Sequence, residues 1–291
     1  LSVIEILVVM GIISLLIGLL LPGVQRIRAT ASKLSCQSRL RQLALAVHQY
    51  SDANGQLPVG CDYPFATDEQ AQRRQVGISW HTSILPFVEQ DSLWQEAWEV
   101  NRRDPTGSSD GHLAVRAHIV SVFLCPAESR SAARNYSGGQ QWALTDYVGV
   151  AGTGVHNNDG VLHPGLRVRF ADITDGTSNT LMIGERPASP SGQFSGWYAS
   201  WGQSPCAISQ VLGTRSDNIV LSGARDCSAD RSPLRPGHPG SSCDQSHFWS
   251  LHPGGANFAI ADGSARFLAY DRSPVIVGLA TRSGGEVVPD D

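Results

Sequence analysis

The chain has 291 residues, enough for one large domain or two of ordinary size. Its formal net charge is −4 and only 16% of its residues are charged, which excludes a nucleic-acid binder built on bulk positive charge. With 30 Gly and 16 Pro, everything beyond the first apolar stretch reads as a turn-rich soluble region.

The first predicted element is apolar all round. LSVIEILVVMGIISLLIGLLL (1–21) carries one charge, Glu5, and ends at Pro22. At ~1.5 Å per residue it makes a helix of about 32 Å, which matches a hydrocarbon core of ~30 Å. It lacks the basic n-region and the small-residue cleavage site of a secretory signal. A carboxylate in such a span costs about 2.5–3.5 kcal/mol at mid-bilayer and less near an end, and an ordinary anchor gives no reason for it. The α-amine of Leu1, one turn away, is mostly cationic at neutral pH. Two subunits staggered along their axes can pair that amine with a neighbour's Glu5, whereas a wrong stagger strands both charges at several kcal/mol. Leu1 and Glu5 are therefore candidate assembly residues. The basic flank of Arg26, Arg28, Lys33, Arg39 and Arg41 argues by the positive-inside rule for a cytoplasmic position. The expectation is that a basic leader, removed ahead of Leu1, outweighs it.

Beyond Pro22 the pattern turns amphipathic. Val24, Ile27, Ala31 and Leu34 are spaced by three and four residues, and Leu40, Leu43, Ala44, Val47 and Tyr50 resume the stripe. It stops at Asn54-Gly55 with Pro58 beyond. Residues 1–54 are thus read as one long helix, with a stem over 1–22 and an amphipathic half over 23–54 docked on a head. Gly11, Gly18 and Pro22, which complete the set of candidate assembly residues, weaken its hydrogen-bond ladder together with Gly23, so bending or local melting between about 11 and 23 is expected when subunits pack.

The head is expected over 55–291. Residues 80–100 read as a loop and a short helix, and 114–126 as a helix or strand ending at Cys125-Pro126. Short apolar runs then alternate with Gly, Pro, Asn and Asp clusters, a β signature. Residues 179–185 read as a strand. Residues 257–270 read as a hairpin about Asp262-Gly263, a dipeptide favoured by type I′ turns. The stretch 186–250, rich in Ser, Pro and Gly, reads as a loop-rich insertion. The fold class is α+β.

Six cysteines, Cys36, Cys61, Cys125, Cys206, Cys227 and Cys243, contain no C-x-x-C pair. On an exported chain an even count favours disulfides, with 15 connectivities open. Cys206, Cys227 and Cys243 are placed to staple the 186–250 stretch. His252 and Asp262 could act as ligands, but a turn position already gives Asp262 backbone work, so His252, Asp262 and Gly263 are read as structural. Asp172, Asp175, Asn179 and Glu185 form a candidate Ca2+ set whose spacing departs from the EF-hand pattern. No G-x-S-x-G or H-E-x-x-H occurs, and no enzymatic activity is expected. The seven Trp are assigned mostly to the core, with a carbohydrate-binding face as the alternative.

The stem, with its apolar start, its Glu at the fifth position and Pro22, resembles the type IV pilin and type II secretion pseudopilin superfamily. Further stretches resemble the large family of pilin-like proteins of unknown function that carry an H-x(9)-D-G motif, here His252 to Asp262-Gly263. They are 35–58, VFLCPAE (122–128), DYVGVAG (146–152), DITDGTSNTLMIGE (172–185), HPGGANFAIADGSARFL (252–268) and 279–288. The resemblance implies a pilin-like fold, a leader cut before Leu1 by a prepilin peptidase, and N-methylation of the new amine. It implies insertion in the inner membrane, then assembly by pilus or secretion machinery into an extracellular filament of copies of this chain. Calcium in the heads of related pseudopilins supports the Ca2+ set, and no other cofactor is implied. Cys36 and Cys125 both fall within family-like stretches and are expected to bridge helix to head, with Cys61 a rival for either. The other functional reading is a membrane-anchored surface protein that does not polymerise and whose head binds a ligand such as a glycan.

Overall fold

The computed structural model describes residues 3–61, 76–105, 107, 109–128, 133–135, 141–154, 157–188, 195–201, 210–214, 227, 231–241 and 243–286. Helix α1 runs unbroken over Val3–Asn54 with Pro22 inside it. Proline removes one rung of the ladder, and the surrounding turns are complete enough to carry the helix through. The helix ends at Gly55, whose φ of +74° is left-handed and whose N–H donates to Ser51 O at 2.7 Å, a glycine C-terminal cap.

Only the second half of α1 is docked. Cys36, Leu40, Leu43, Ala44, Ala46, Val47 and Ser51 are buried. Val24, Ile27 and Leu34, expected to begin the docking stripe, are instead 45%, 71% and 57% exposed. The helical spacing there is real, but the head does not extend far enough along the rod to cover it.

The head is organised by a five-stranded sheet made of β4 (Tyr147–Val150), β5 (Leu181–Glu185), β7 (Val211–Leu212), β8 (Gly255–Ile260) and β9 (Ala265–Ala269). Their order across the sheet is β7-β4-β5-β8-β9. Neighbours are antiparallel except β4 and β7, which are parallel. The three central strands are buried along their whole length because the sheet is covered on both faces. Ala259, Ile183 and Tyr147 join the α1 residues in one core, with Trp80, Phe123 and Trp197. Val148, Val150, Leu181, Phe258 and Ile260 point the other way, onto Phe248, Leu234 and helix α5 (Ser273–Leu279). Gly184 allows this second core to close. A Cβ there would lie 2.7 Å from ring carbons of both Phe248 and Phe258.

Two small antiparallel pairs accompany the sheet: β1 (Val76–Ile78) with β6 (Ala199–Trp201), and β2 (Ala133–Asn135) with β3 (Gln141–Ala143). Helices α2 (Trp80–Ser83), α3 (Asp91–Arg103) and α4 (Asp110–Ala117) lie between α1 and the strands of the main sheet in sequence. The 186–250 stretch provides β6 and β7, and its Trp197, Tyr198, Val211, Leu212, Leu234, Phe248 and Trp249 are buried.

The β8–β9 hairpin forms about Asp262-Gly263 with a different turn. Gly263 N donates to Ile260 O at 3.0 Å, and Ile260 N to Ser264 O at 2.8 Å. Gly263 has φ +88°, whereas Asp262 is not among the positive-φ residues. This is a tight turn followed by a left-handed glycine rather than a two-residue type I′ loop, which needs positive φ at both central positions.

Candidate functional site: stem and helix–head junction

Two regions carry the chemistry. The first is the stem. From Val3 to Leu21 its large apolar side chains are 49% to 73% exposed, and this helix is the one described helix long and apolar enough to cross a membrane. Glu5 lies in its first turn. Leu1 is outside the described residues. A Cβ added at Gly11, Gly18 or Gly23 would meet no atom within 4 Å, so these positions leave the rod's surface open.

The second region is the junction where α1 meets the sheet. Cys36 of α1 is bonded to Cys125, which follows the short helical turn Ser121–Phe123. Arg39, one turn on, donates to Leu124 O. Cys125 N donates to Asp146 Oδ2 at 2.7 Å, and Asp146 Oδ1 accepts from Ala188 N at 3.0 Å. His252 Nε2 lies 3.5 Å from Cys125 Sγ and 3.4 Å from Glu185 Oε1. Glu185, at the end of β5, accepts from Asn257 N at 2.6 Å and from Asn257 Nδ2 at 3.0 and 3.1 Å. Cys36, Cys125, Glu185 and His252 are all buried, and one ligand atom from each lies within 4.8 Å of the others. Ser250 Oγ, accepting from His252 N at 2.9 Å and donating to Gly255 O at 2.7 Å, holds the His252 loop against β8. Further along α1, His48 Nε2 lies 2.9 Å from Ala261 O, and its ring stacks on Phe170 at 4.4 Å. Lys33 Nζ lies 3.2 Å over the Phe267 ring. Burial lowers the Lys33 pKa, and attraction to Glu185 partly opposes that.

Behind the junction are three buried polar groups. Burial lowers the His81 pKa to about 3, opposed by its bond to Tyr147 O at 2.9 Å and reinforced by the charge of Arg186. Burial brings Arg186 down to about 9, against the attraction of Asp146. The Tyr147 hydroxyl is pushed well up by burial and then by the negative charges of Glu185 and Asp146.

The sequence-derived sites fare unevenly. The helix-to-head bridge is Cys36–Cys125, and a second disulfide joins Cys227 to Cys243. Cys61 is buried and belongs to neither, and Cys206 is outside the described residues. The Ca2+ set does not assemble. Asp172 is tied to Arg169 by Oδ1 at 2.8 Å, Asp175 accepts from Gly284 N and Gly285 N at 2.7 and 3.0 Å, and Glu185 faces the junction. Asn179 sits in a helical turn, Thr177–Asn179, and its N–H donates to Gly176 O at 3.0 Å. Asp262 does turn work, its Oδ1 accepting from Ser264 N at 2.8 Å, and it does not join His252. The convergence of His252 on Glu185 and the disulfide has no spacing signal in the sequence, because the four residues come from four distant segments.

One further surface feature lies on α3. Trp94 and Trp98, one turn apart, stack at 6.2 Å, and Trp98 is 54% exposed. They border a groove of about 470 Å³ shared with Tyr50, Phe87, Asp91 and Gln95. Trp80, Trp197 and Trp249 are core residues.

Searches among curated proteins and among solved structures found no match. A family model described as a protein of unknown function, DUF1559, matches residues 25–272. That span contains the docked half of α1, the whole five-stranded sheet and all four residues of the junction. With a pilin-like layout of long helix on β-rich head, and with most of its length covered, the chain belongs to the DUF1559 family.

Proposed function

We propose that the chain is a pilin-type subunit that assembles through α1 into an extracellular filament. The observation that carries this reading is the bare stem. Fifteen large apolar residues between Val3 and Leu21 are exposed on a helix that the head grips only from its middle onward. Covering their exposed halves is worth on the order of 10–20 kcal/mol. A membrane provides that cover before assembly and neighbouring stems provide it afterwards. Glu5 then sets the stagger by pairing with the Leu1 amine of an adjacent copy, since an uncompensated buried charge is strongly unfavourable. The partners of this reading are further copies of the chain, a prepilin peptidase that exposes and methylates the Leu1 amine, and the assembly machinery of the inner membrane. Catalysis has no part in it. The expected result for Glu5→Ala is normal membrane insertion with filament yield reduced or incorporation disturbed. Normal filaments from that variant would refute the pairing.

Exposed Trp98, stacked on the half-buried Trp94, supports a second reading, a singly anchored protein whose head binds a glycan, since an exposed indole offers sugars an amphipathic contact surface. Electron microscopy of the sheared cell-surface fraction separates the two. Filaments containing this chain support the first, and detergent-extracted monomer alone supports the second.

A further inference from the structure

We propose that the helix–head junction is a latent zinc site: when the Cys36–Cys125 disulfide is reduced, the two thiolates, His252 Nε2 and a Glu185 carboxylate oxygen bind one Zn2+. The argument begins from what surrounds the disulfide. A disulfide needs no ionisable neighbours, yet this one is enclosed by a buried imidazole 3.5 Å from Cys125 Sγ and a buried carboxylate 3.4 Å from that imidazole. All four ligand atoms fall within 4.8 Å of one another. A tetrahedral ion with Zn–S of ~2.3 Å and Zn–N or Zn–O of ~2.0–2.2 Å requires ligand atoms about 3.3–3.8 Å apart. The His252–Cys125 and His252–Glu185 edges already have that length. The two sulfurs, no longer bonded, separate to about 3.7 Å by side-chain rotation, which a Cα–Cα distance of 5.3 Å accommodates.

The surroundings fit a metal ligand set. Asn257 holds the Glu185 carboxylate through its N–H and its side-chain amide, and Ser250 fixes the His252 backbone. Partners of this kind orient ligands and tune a metal site. The Tyr147 hydroxyl, buried within electrostatic reach of Glu185, has no hydrogen-bond partner among the described residues, and a zinc-bound thiolate offers it an acceptor. Two thiolates and an imidazole select zinc over calcium or magnesium, which prefer all-oxygen shells. Four protein ligands leave no open position, so the site is structural rather than catalytic.

The exchange balances. A dithiol reductant transfers two electrons and two protons to the disulfide and becomes a disulfide itself. The two thiols then release two protons as Zn2+ binds. In the reverse direction, a disulfide oxidant takes two electrons from the thiolates, the sulfur–sulfur bond forms, Zn2+ leaves, and the oxidant gains two protons to become a dithiol. In both states the same four segments are clamped together, so α1 stays on the head before oxidation as well as after it.

The test uses the full chain in detergent with Co2+ as a spectroscopic stand-in for Zn2+. Protein reduced by a phosphine is expected to take up one Co2+, with tetrahedral visible bands and a thiolate charge-transfer band that Zn2+ abolishes. Oxidised protein is expected to take up none. His252→Gln and Glu185→Gln should each weaken Co2+ binding by at least about tenfold, and circular dichroism of the oxidised variants checks that they fold. Zn2+ should also keep the reduced chain folded. Failure of the reduced chain to bind Co2+, bands unchanged in both variants, or unfolding of the reduced chain to the same extent with and without Zn2+ would each overturn the proposal.

Discussion

Replacing Cys36 and Cys125 together by Ser should destabilise the oxidised, metal-free protein more than any other single crosslink removal among the described residues. The disulfide closes a loop of 89 residues between α1 and the sheet. Loop-closure entropy for that length is about 4.6 kcal/mol at 25 °C, and the loss of a native disulfide typically costs about 2–5 kcal/mol. A chain of this size shifts its Tm by roughly 2–4 °C per kcal/mol, so a fall of about 4–20 °C is expected. The matching Cys227→Ser and Cys243→Ser pair spans 16 residues, worth about 3 kcal/mol on the same scale, and should fall less. The assay is thermal unfolding of the full chain in detergent, followed by near-ultraviolet circular dichroism, which reads the buried Trp80, Trp197 and Trp249. An unchanged Tm for the 36/125 pair, or a larger fall for the 227/243 pair, would refute the assignment of the junction as the main clamp.

Gly184→Ala should cost about 1–3 kcal/mol, because its new methyl meets Phe248 and Phe258 at 2.7 Å in a closed core; Tm by fluorescence checks it. His81 has a folded pKa near 3 against 6.5 unfolded, so the unfolded chain takes up the proton first as pH falls. Its stabilising contribution is complete above about pH 6.5 and declines toward pH 3 by up to about 1.4 kcal/mol per pH unit. Tm measured from pH 7 to 4.5 should fall, and His81→Gln should flatten the curve. Asp172, lowered to about 2 by Arg169, loses its contribution only at lower pH, so the windows are distinct. Trp98→Ala should leave the folding stability within about 0.5 kcal/mol of wild type, read as a nearly unchanged Tm; on the second functional reading alone it abolishes glycan retention on an affinity column.

Much of the architecture is legible in the sequence because it rests on strong local signals. The length and apolarity of 1–21, the Asn54-Gly55 stop and the Asp262-Gly263 hairpin each depend on residues close in sequence. The Cys36–Cys125 bridge is legible only through resemblance, since cysteine spacing alone leaves it open. What is not legible depends on the reach of the head. Val24, Ile27 and Leu34 show helical periodicity, but periodicity does not say where the covering body ends. The turn at Gly263 departs from the expected type because Asp-Gly suits two loop lengths. The Ca2+ set does not form because acidic residues close in sequence are drawn apart, Asp172 to Arg169, Asp175 to the backbone of Gly284 and Gly285, and Glu185 inward to Asn257. The junction itself joins residues 36, 125, 185 and 252, and only folding brings those together.

The position of Cys36 has a mechanical consequence. It is the first fully buried residue along α1, the place where a tug on the rod starts to peel it away from the head. A covalent link at that point sends tension straight into the segments behind Cys125 rather than unzipping one helical turn after another. The head can therefore be dragged by its stalk as one unit, and it yields only when the linked fold itself gives way.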